Sequence, residues 1–148
     1  MIREKKRPAK NKCWVQFSRF VRLRDCLKTT GTTTKGKCCS CGREHPFGKL
    51  QAGHFLPGRT DNILFDEKGV HAQCYFCNCE RQGNWPGYYR FMQKEYGQNV
   101  IERMVNDFIS DSGSLYTVRE LSAQELYYRI QVNKLLKKVN DAPQSNTK

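Results

Sequence analysis

The sequence lacks any long hydrophobic run, and acidic side chains are scarce in it. Its mean hydropathy is −0.77, and no stretch approaches the roughly 18 apolar residues of a membrane helix. Polar and basic side chains interrupt the first apolar segment, Cys13 to Leu27, which excludes the unbroken core of a secretion signal. We therefore expect a protein that does not enter membranes and stays in the cytoplasm.

Basic side chains outnumber acidic ones by 26 to 14, and most of the excess lies at the amino terminus. Residues 1–37 contain 12 basic and 2 acidic side chains, which is +10 of the total charge of +12. Such a block predicts a polyanionic partner. Nucleic acid is favoured over lipid because the block has neither a clean apolar face nor a lipidation motif. The alternative is a solvated arm that only increases solubility.

The length of 148 residues allows one domain with appended segments. Residues 1–12 have no apolar pattern and predict a disordered basic arm. From Cys13 to Leu27, apolar side chains recur every three or four positions, which predicts an amphipathic helix. We assign residues 13–36 to this helix and to the polar linker that follows it.

Short apolar runs at residues 50–56 and 62–65 predict the two strands of a hairpin. Beyond Val70 we expect a short helix that runs toward Gln82. Later helices are expected between Pro86 and Gly97, around residues 101–108, and after the capping-box pair Thr117 and Glu120. Residues 140–148 are predicted to form a polar tail.

Six of the eight cysteines lie in two clusters, and each cluster contains a Cys-x-x-Cys pair. We assign Cys38, Cys41, Cys74 and Cys77 as ligands of a structural zinc. Two such pairs bring four thiolates around one tetrahedral ion and leave no open position for water. A disulfide framework and a coincidence of buried thiols are the weaker alternatives.

The other four cysteines are not assigned to the zinc. The sequence leaves open a slipped pairing that uses Cys39 or Cys79, both of which lie inside the clusters. Cys13 and Cys26 belong to the first helix and are expected to be packing residues.

The segment between the cysteine pairs carries a histidine, and an asparagine follows the second pair. His54 stands in an Ala-Gly-His-Phe sequence on the predicted first strand, and Asn78 directly follows Cys77. A neutral histidine takes a proton from water near pH 7, and an amide oxygen binds a hard cation such as magnesium. We expect His54 to face the helix that begins at the second pair. The alternative is a hydrogen-bonded hairpin histidine without catalytic function.

The order of these motifs resembles that of ββα-metal (HNH) nucleases with a built-in four-cysteine zinc site, and it is most similar to the NinG/Rap family of lambdoid phages. The matching motifs are Cys38 to Gly42, Ala52 to Phe55, Leu64 to Glu67, Val70 to Asn78, and Gly83-Asn84. The resemblance implies an α+β fold in which a small zinc-containing ββα-metal module, residues 37–110, is surrounded by helices. Residues 111–139 would form a carboxy-terminal helical region.

The resemblance also implies an activity. The expected function is an HNH-like, metal-dependent endodeoxyribonuclease that cuts branched DNA such as Holliday junctions during phage recombination in the bacterial host cell. Magnesium or manganese would be the catalytic cation, with His54 as general base and Asn78 as a cation ligand. Paired cuts at a junction suggest a homodimer, although no sequence feature specifies its interface.

Two departures from the HNH pattern leave three candidates for the second ligand of that cation. The acidic residue or histidine that often precedes the base is replaced by Gly53, and the middle asparagine of the HNH pattern is replaced by Gly69. His71 is the first candidate, followed by Asp66 and Glu67. In the alternatives, His71 forms a hydrogen bond to a cation ligand and orients it, or it is an additional donor at the zinc site.

The DNA itself is expected to contact basic side chains on both sides of the module. The predicted phosphate contacts are Lys5, Lys6, Arg7, Arg19, Arg22, Arg24, Arg81 and Arg90. The aromatic side chains at positions 85, 88, 89 and 91 stack on exposed bases in one interpretation and form a small core in the other.

Two rival functions remain from the sequence. The first is a sequence-specific HNH endonuclease. The second is a non-catalytic zinc module that binds DNA or RNA as an accessory protein, and the replacements at Gly53 and Gly69 keep it open.

Overall fold

Helices and two small antiparallel sheets make up the described chain, which is therefore α+β. The computed structural model describes residues 2–110, 113 and 115–141, with side chains from Lys5 onward. Its elements are α1 (Ile2–Thr30), β1 (Lys35–Lys37), β2 (Glu44–Pro46), β3 (Leu50–His54), α2 (Asp61–Leu64), β4 (Val70–Cys74), α3 (Trp85–Tyr96), α4 (Gln98–Ile109) and α5 (Val118–Asn140). No helix among these described residues is long and apolar enough to cross a membrane.

The first helix is longer than the sequence pattern indicates. Its predicted part is confirmed, with Cys13, Phe17 and Val21 fully buried against α5. The prediction of a disordered arm at residues 1–12 is wrong for residues 2–12, which continue α1. Lys6 and Lys10 reach Asp61 in α2, so ion pairs help to hold this end of the helix, together with the packing of Ala9 against the core.

The predicted hairpin is correct in its first strand and wrong in its second. β3 pairs antiparallel with β4, so that Gly53 lies opposite His71 and His54 opposite Val70. Residues 62–64 instead lie in the helical turn α2, and residue 65 follows it. Ile63 and Leu64 in this turn are buried. The helix expected from Val70 is also wrong there: the chain forms β4 first and then a π-helical turn at Phe76–Glu80. All five residues of β4 are buried, and a short buried run has no alternation that distinguishes strand from helix.

The three later helices are confirmed. Gly97, with a φ of +82°, ends α3, and α4 begins directly after it. Thr117 and Glu120 form the predicted capping box of α5, because each side chain accepts the other residue's backbone N–H. Most of the polar tail, residues 142–148, lies outside the described residues.

Candidate metal centre and active-site cavity

Four cysteines converge where the two sheets meet. Cys38 and Cys41 lie in the turn between β1 and β2, Cys74 ends β4, and Cys77 lies in the π-helical turn. Their sulfur atoms all lie within 4.8 Å of one another, and Cys41 Sγ is 4.0 Å from Cys74 Sγ. Tetrahedral zinc with Zn–S bonds of about 2.3 Å separates its sulfurs by about 3.8 Å. The predicted four-cysteine set is therefore brought together at a spacing that suits zinc.

Local backbone geometry prepares this cluster. Gly42 adopts a φ of +72° and its N–H donates to Cys38 O at 2.8 Å, which closes the first turn. Cys39 N–H donates to Ala72 O at 2.9 Å and ties that turn to β4. Asn84 Nδ2 donates to Cys77 Sγ at 3.3 Å. Burial raises the pKa of the Cys38 thiol to about 12, so its thiolate requires a cation beside it.

The other cysteines stand outside the four-sulfur group. Cys13 and Cys26 are fully buried, which confirms them as packing residues. Cys39 is half-buried beside the aromatic cluster of α3, and Cys79 is exposed and donates to Gln51 Oε1 at 3.3 Å. None of the eight cysteines is in a disulfide.

A cavity of about 390 Å³ lies at the end of β3 and the segment that follows it, and both His54 and Asn78 line its wall. Arg59 and Trp85 also line it, and no aspartate or glutamate does so among the described residues. The two residues singled out from the sequence thus border one space, although they approach it from different faces of the β-hairpin.

His54 faces α1, and the expectation that it faces the helix after the second cysteine pair is wrong. Its ring stacks on Trp14, with 5.2 Å between ring centroids. Side chains alternate along a strand, and it is the neighbouring Gly53 whose missing side chain would point toward Asn78. His54 Nε2 lies 3.2 Å from Leu64 O, and since a carbonyl only accepts, Nε2 carries the proton. Nδ1 is therefore the unprotonated nitrogen.

The environment of His54 keeps its ring neutral. Burial lowers the pKa of His54, and the charge of Arg59 lowers it further, against opposing effects of Leu64 O and Asp66. Arg59 itself lies 4.3 Å from the centre of the Trp14 ring. A neutral imidazole with a free Nδ1 has the protonation state that a general base requires.

His71 does not lie with His54 and Asn78. It is 3 % exposed, its Nδ1 is 3.0 Å from Asp25 Oδ2, and its Nε2 is 2.9 Å from Tyr96 Oη. The assignment of His71 as a cation ligand is therefore corrected, because protein groups occupy both ring nitrogens. The fallback candidates are also engaged elsewhere: Asp66 accepts from Lys68 N–H, and Glu67 accepts from Tyr128 Oη.

The predicted DNA contacts divide into two groups. Lys5, Arg7, Arg19, Arg81 and Arg90 are exposed. The remaining three are engaged inside the protein: Lys6 with Asp61, Arg22 over the Phe47 ring at 4.5 Å, and Arg24 with the carbonyls of Glu67 and Val70 at 2.8 and 2.9 Å. Arg24 is thus a structural residue, and its assignment as a phosphate contact is corrected.

The four aromatic residues divide into side chains that belong to a core and side chains near the surface; stacking on bases stays a prediction. Tyr88 is buried and donates to Gly53 O at 2.7 Å, and Phe91 packs on His71 with 4.7 Å between centroids. Trp85 is 56 % exposed, lines the cavity and stacks on Tyr89 with 4.9 Å between centroids. Of these four side chains, Trp85 is the exposed one at the cavity, and Tyr89 is half-buried beside it.

Sequence reasoning missed Arg59 and Gln73. Arg59 lies in the β3–α2 connection, where only its neighbours Pro57 and Gly58 indicated a turn. Gln73 is fully buried close to Asn78, and its position in the family-like motif Val70 to Asn78, directly before Cys74, was an available signal.

The fold and the site define an α+β protein with a four-cysteine, zinc-type centre beside a histidine- and asparagine-lined cavity. A family model described as "NinG: Bacteriophage Lambda NinG protein" matches residues 3–139. The chain therefore belongs to the NinG family of phage proteins.

Curated relatives agree with this membership. The chain is 27 % identical over 93 residues to Protein ninG of Escherichia phage 933W and, equally, to Protein ninG of Enterobacteria phage VT2-Sa. These matches cover 62 % of this chain and 44 % of each relative, so the chain spans less than half the length of the curated relatives it matches. No solved structure matches it significantly.

Proposed function

We propose that this protein is a metal-dependent endodeoxyribonuclease of the HNH type that cuts branched DNA, Holliday junctions included, during phage recombination. The observation that carries the proposal is the shared cavity of His54 and Asn78 beside the four-cysteine cluster. Membership of a phage family supports the biological setting.

The residues act in complementary ways in this proposal. His54 Nδ1 accepts the proton of the attacking water, while Leu64 O fixes the ring tautomer and Trp14 fixes the ring plane. Asn78 offers Oδ1 to a magnesium or manganese ion, which would polarise the scissile phosphate and stabilise the leaving oxygen. Asn78 is held for this purpose, because its Nδ2 donates to Gln51 Oε1 at 2.8 Å.

The substrate would be held by charge and by stacking. Arg59 contributes a cation at the cavity wall, where a backbone phosphate is neutralised. Trp85 and Tyr89 offer an aromatic surface on which an exposed base stacks, and the continuous base stack of a regular duplex is interrupted at a branch point.

One observation favours a second candidate function, a non-catalytic zinc module that binds DNA or RNA. Divalent cations at nuclease sites are usually held by carboxylates, and none lines this cavity among the described residues. A sequence-specific HNH endonuclease remains the rival with the same chemistry.

The decisive experiment measures magnesium-dependent cleavage of a labelled four-way junction and of a linear duplex of the same sequence. His54→Gln retains an N–H for Leu64 O but removes the base, so we expect cleavage to fall at least about 100-fold, the usual contribution of general-base catalysis. Junction binding and bound zinc should persist. His45→Gln, which changes a histidine on β2 outside the cavity, is the matched control and should cut normally.

Three outcomes separate the candidates. Equal cutting of junction and duplex would indicate a sequence-specific enzyme. Wild-type protein that binds DNA but cuts no branched substrate with any divalent cation is a binding module. Cleavage that survives in His54→Gln would remove His54 from the chemistry.

A further inference from the structure

Two amide oxygens meet in front of Gly53. A methyl group placed on Gly53 would stand 1.9 Å from Gln73 Oε1 and 3.0 Å from Asn78 Oδ1. The space that a side chain would fill at position 53 is therefore occupied by these two oxygens. Gly53 is the residue before His54, where HNH sites often carry an acidic ligand.

Gln73 is buried with half of its polar group unpaired. Its side chain is 0 % exposed, and Oε1 has no hydrogen-bond partner within the described part of the chain. A buried acceptor without a partner is costly, and such atoms in native proteins are commonly explained by water or an ion.

The direction of the Gln73 amide is fixed. Nε2 donates to Gly83 O at 2.8 Å and to Ser40 Oγ at 2.7 Å. Because a backbone carbonyl only accepts, the NH₂ end must face Gly83, and the oxygen must face Asn78. Ser40 lies between the first two zinc-site cysteines, and Gly83 follows the second pair, so both cysteine-bearing segments hold this side chain.

We propose that Gln73 Oε1 and Asn78 Oδ1 together bind the catalytic divalent cation, magnesium or manganese, and that Gln73 replaces the acidic ligand missing at Gly53. The inference rests on the proposed nuclease function and specifies its cation site. Hard cations accept amide oxygens as ligands. Two neutral ligands leave the ion's charge uncompensated, so water and a DNA phosphate would complete the coordination, and affinity of the protein alone would be low.

An amide network without a cation is the competing arrangement. If the amides of Gln51 and Asn78 were both reversed, Gln51 Nε2 would donate to Asn78, and Asn78 Nδ2 would point toward Gln73 Oε1. That arrangement satisfies Gln73 internally and makes it a structural residue only.

The test measures manganese binding by the zinc-loaded full chain. The decrease of the free-Mn²⁺ signal in electron paramagnetic resonance reports how much of the ion is bound. Gln73→Met keeps the length of the side chain and removes its oxygen, and we expect at least about tenfold weaker Mn²⁺ binding with zinc retained. Gln93→Met on the exposed part of α3 is the matched control and should bind as the wild type. Unchanged affinity in Gln73→Met would overturn the proposal.

A measurement on the unmodified protein covers the case in which Gln73→Met fails to fold. Titration with Mg²⁺ should shift the side-chain carboxamide ¹³C resonances of Gln73 and Asn78 and leave that of Gln93 unchanged. No shift at Gln73 favours the amide network and overturns the cation site. Mg²⁺ binding at Gln73 without DNA cleavage would instead contradict the nuclease function but support the cation site. DNA cleavage without any shift at Gln73 would support the nuclease function but contradict the cation site.

Discussion

At the scale of single residues, the sequence indicated chemical types but not the partners that decide their use. His54 and Asn78 were found from a motif and do share a cavity. Arg24 and His71 were assigned to DNA and to a cation, yet both are bound to Asp25 within the protein. Asp25 carried no motif, because its position in the core depends on how α1 crosses β4.

Asp25 makes stability depend on acid pH. Burial alone would raise its pKa, but hydrogen bonds and charge from His71 and Arg24 lower it to about 2 from an ordinary value of 3.8. A lowered pKa stabilises the fold above pH 4, and that contribution is lost as pH falls from about 4 toward 2. We expect the free energy of unfolding in urea to decrease by about 2 kcal/mol over this interval because of Asp25.

The matched variants are Asp25→Asn and Asp107→Asn, the latter at an exposed carboxylate on α4. Asp25→Asn should be less stable at neutral pH and should lose this part of the acid dependence. Asp107→Asn should retain it. Equal pH profiles for the wild type and Asp25→Asn would contradict the assignment.

At the scale of elements, hydrophobic periodicity predicted the long helices but not the secondary structure of the short segments. The central parts of α1, α3, α4 and α5 were predicted because helical signals are strong in long elements. Apolar spacing repeats over several turns, a glycine marks the end of α3, and a capping box marks the start of α5. β1, β2 and α2 have three or four residues each, too few for a period to emerge. Residues 2–12 are helical through contacts with a distant segment, which no local pattern reveals.

We expect the β1–β2 hairpin to depend on zinc bound by the four cysteines. Its two three-residue strands are too short to be stable alone, and the four sulfurs supply the missing cross-link. We expect one zinc per chain in the wild type by elemental analysis, and almost none in Cys41→Ser or Cys77→Ser. In these variants the backbone amides of residues 35–46 should lose protection from hydrogen exchange.

Cysteines outside the four-sulfur group give the control for this prediction. Cys39→Ser and Cys79→Ser should each retain one zinc, because neither thiol belongs to the cluster. Loss of zinc from Cys39→Ser would mean that the pairing is slipped by one residue.

At the scale of the whole molecule, the excess of positive charge is only partly available to a polyanion. Several amino-terminal basic side chains are engaged within the fold, whereas Lys5, Arg7 and Arg19 remain exposed along α1. Removing residues 1–12 would therefore also remove the ion pairs of Lys6 and Lys10 with Asp61. An effect of this deletion on DNA binding could then not be separated from an effect on the stability of the fold.

Neutralising the exposed side chains isolates the electrostatic contribution. The triple change Lys5→Gln, Arg7→Gln and Arg19→Gln should weaken DNA binding and make its salt dependence shallower. The log–log slope should decrease by about 0.9 for each phosphate that these side chains no longer neutralise. Measurement of DNA affinity over a range of salt concentrations provides the slope.

An equal loss of charge on α5 provides the comparison. The triple change Lys134→Gln, Lys137→Gln and Lys138→Gln also removes three positive charges, at the opposite end of the sequence. The same slope in both triple variants would show that net charge alone, and not the face formed by α1, attracts the DNA.

The two hydrogen bonds that orient Gln73 lead to a prediction about the order of metal binding in the cell. Ser40 and Gly83 orient its amide only when the two cysteine-bearing segments have been drawn together. If Gln73 binds the catalytic cation, a newly synthesised chain can form its active site only after it has bound zinc. A host short of zinc would then accumulate phage protein that is present but inert.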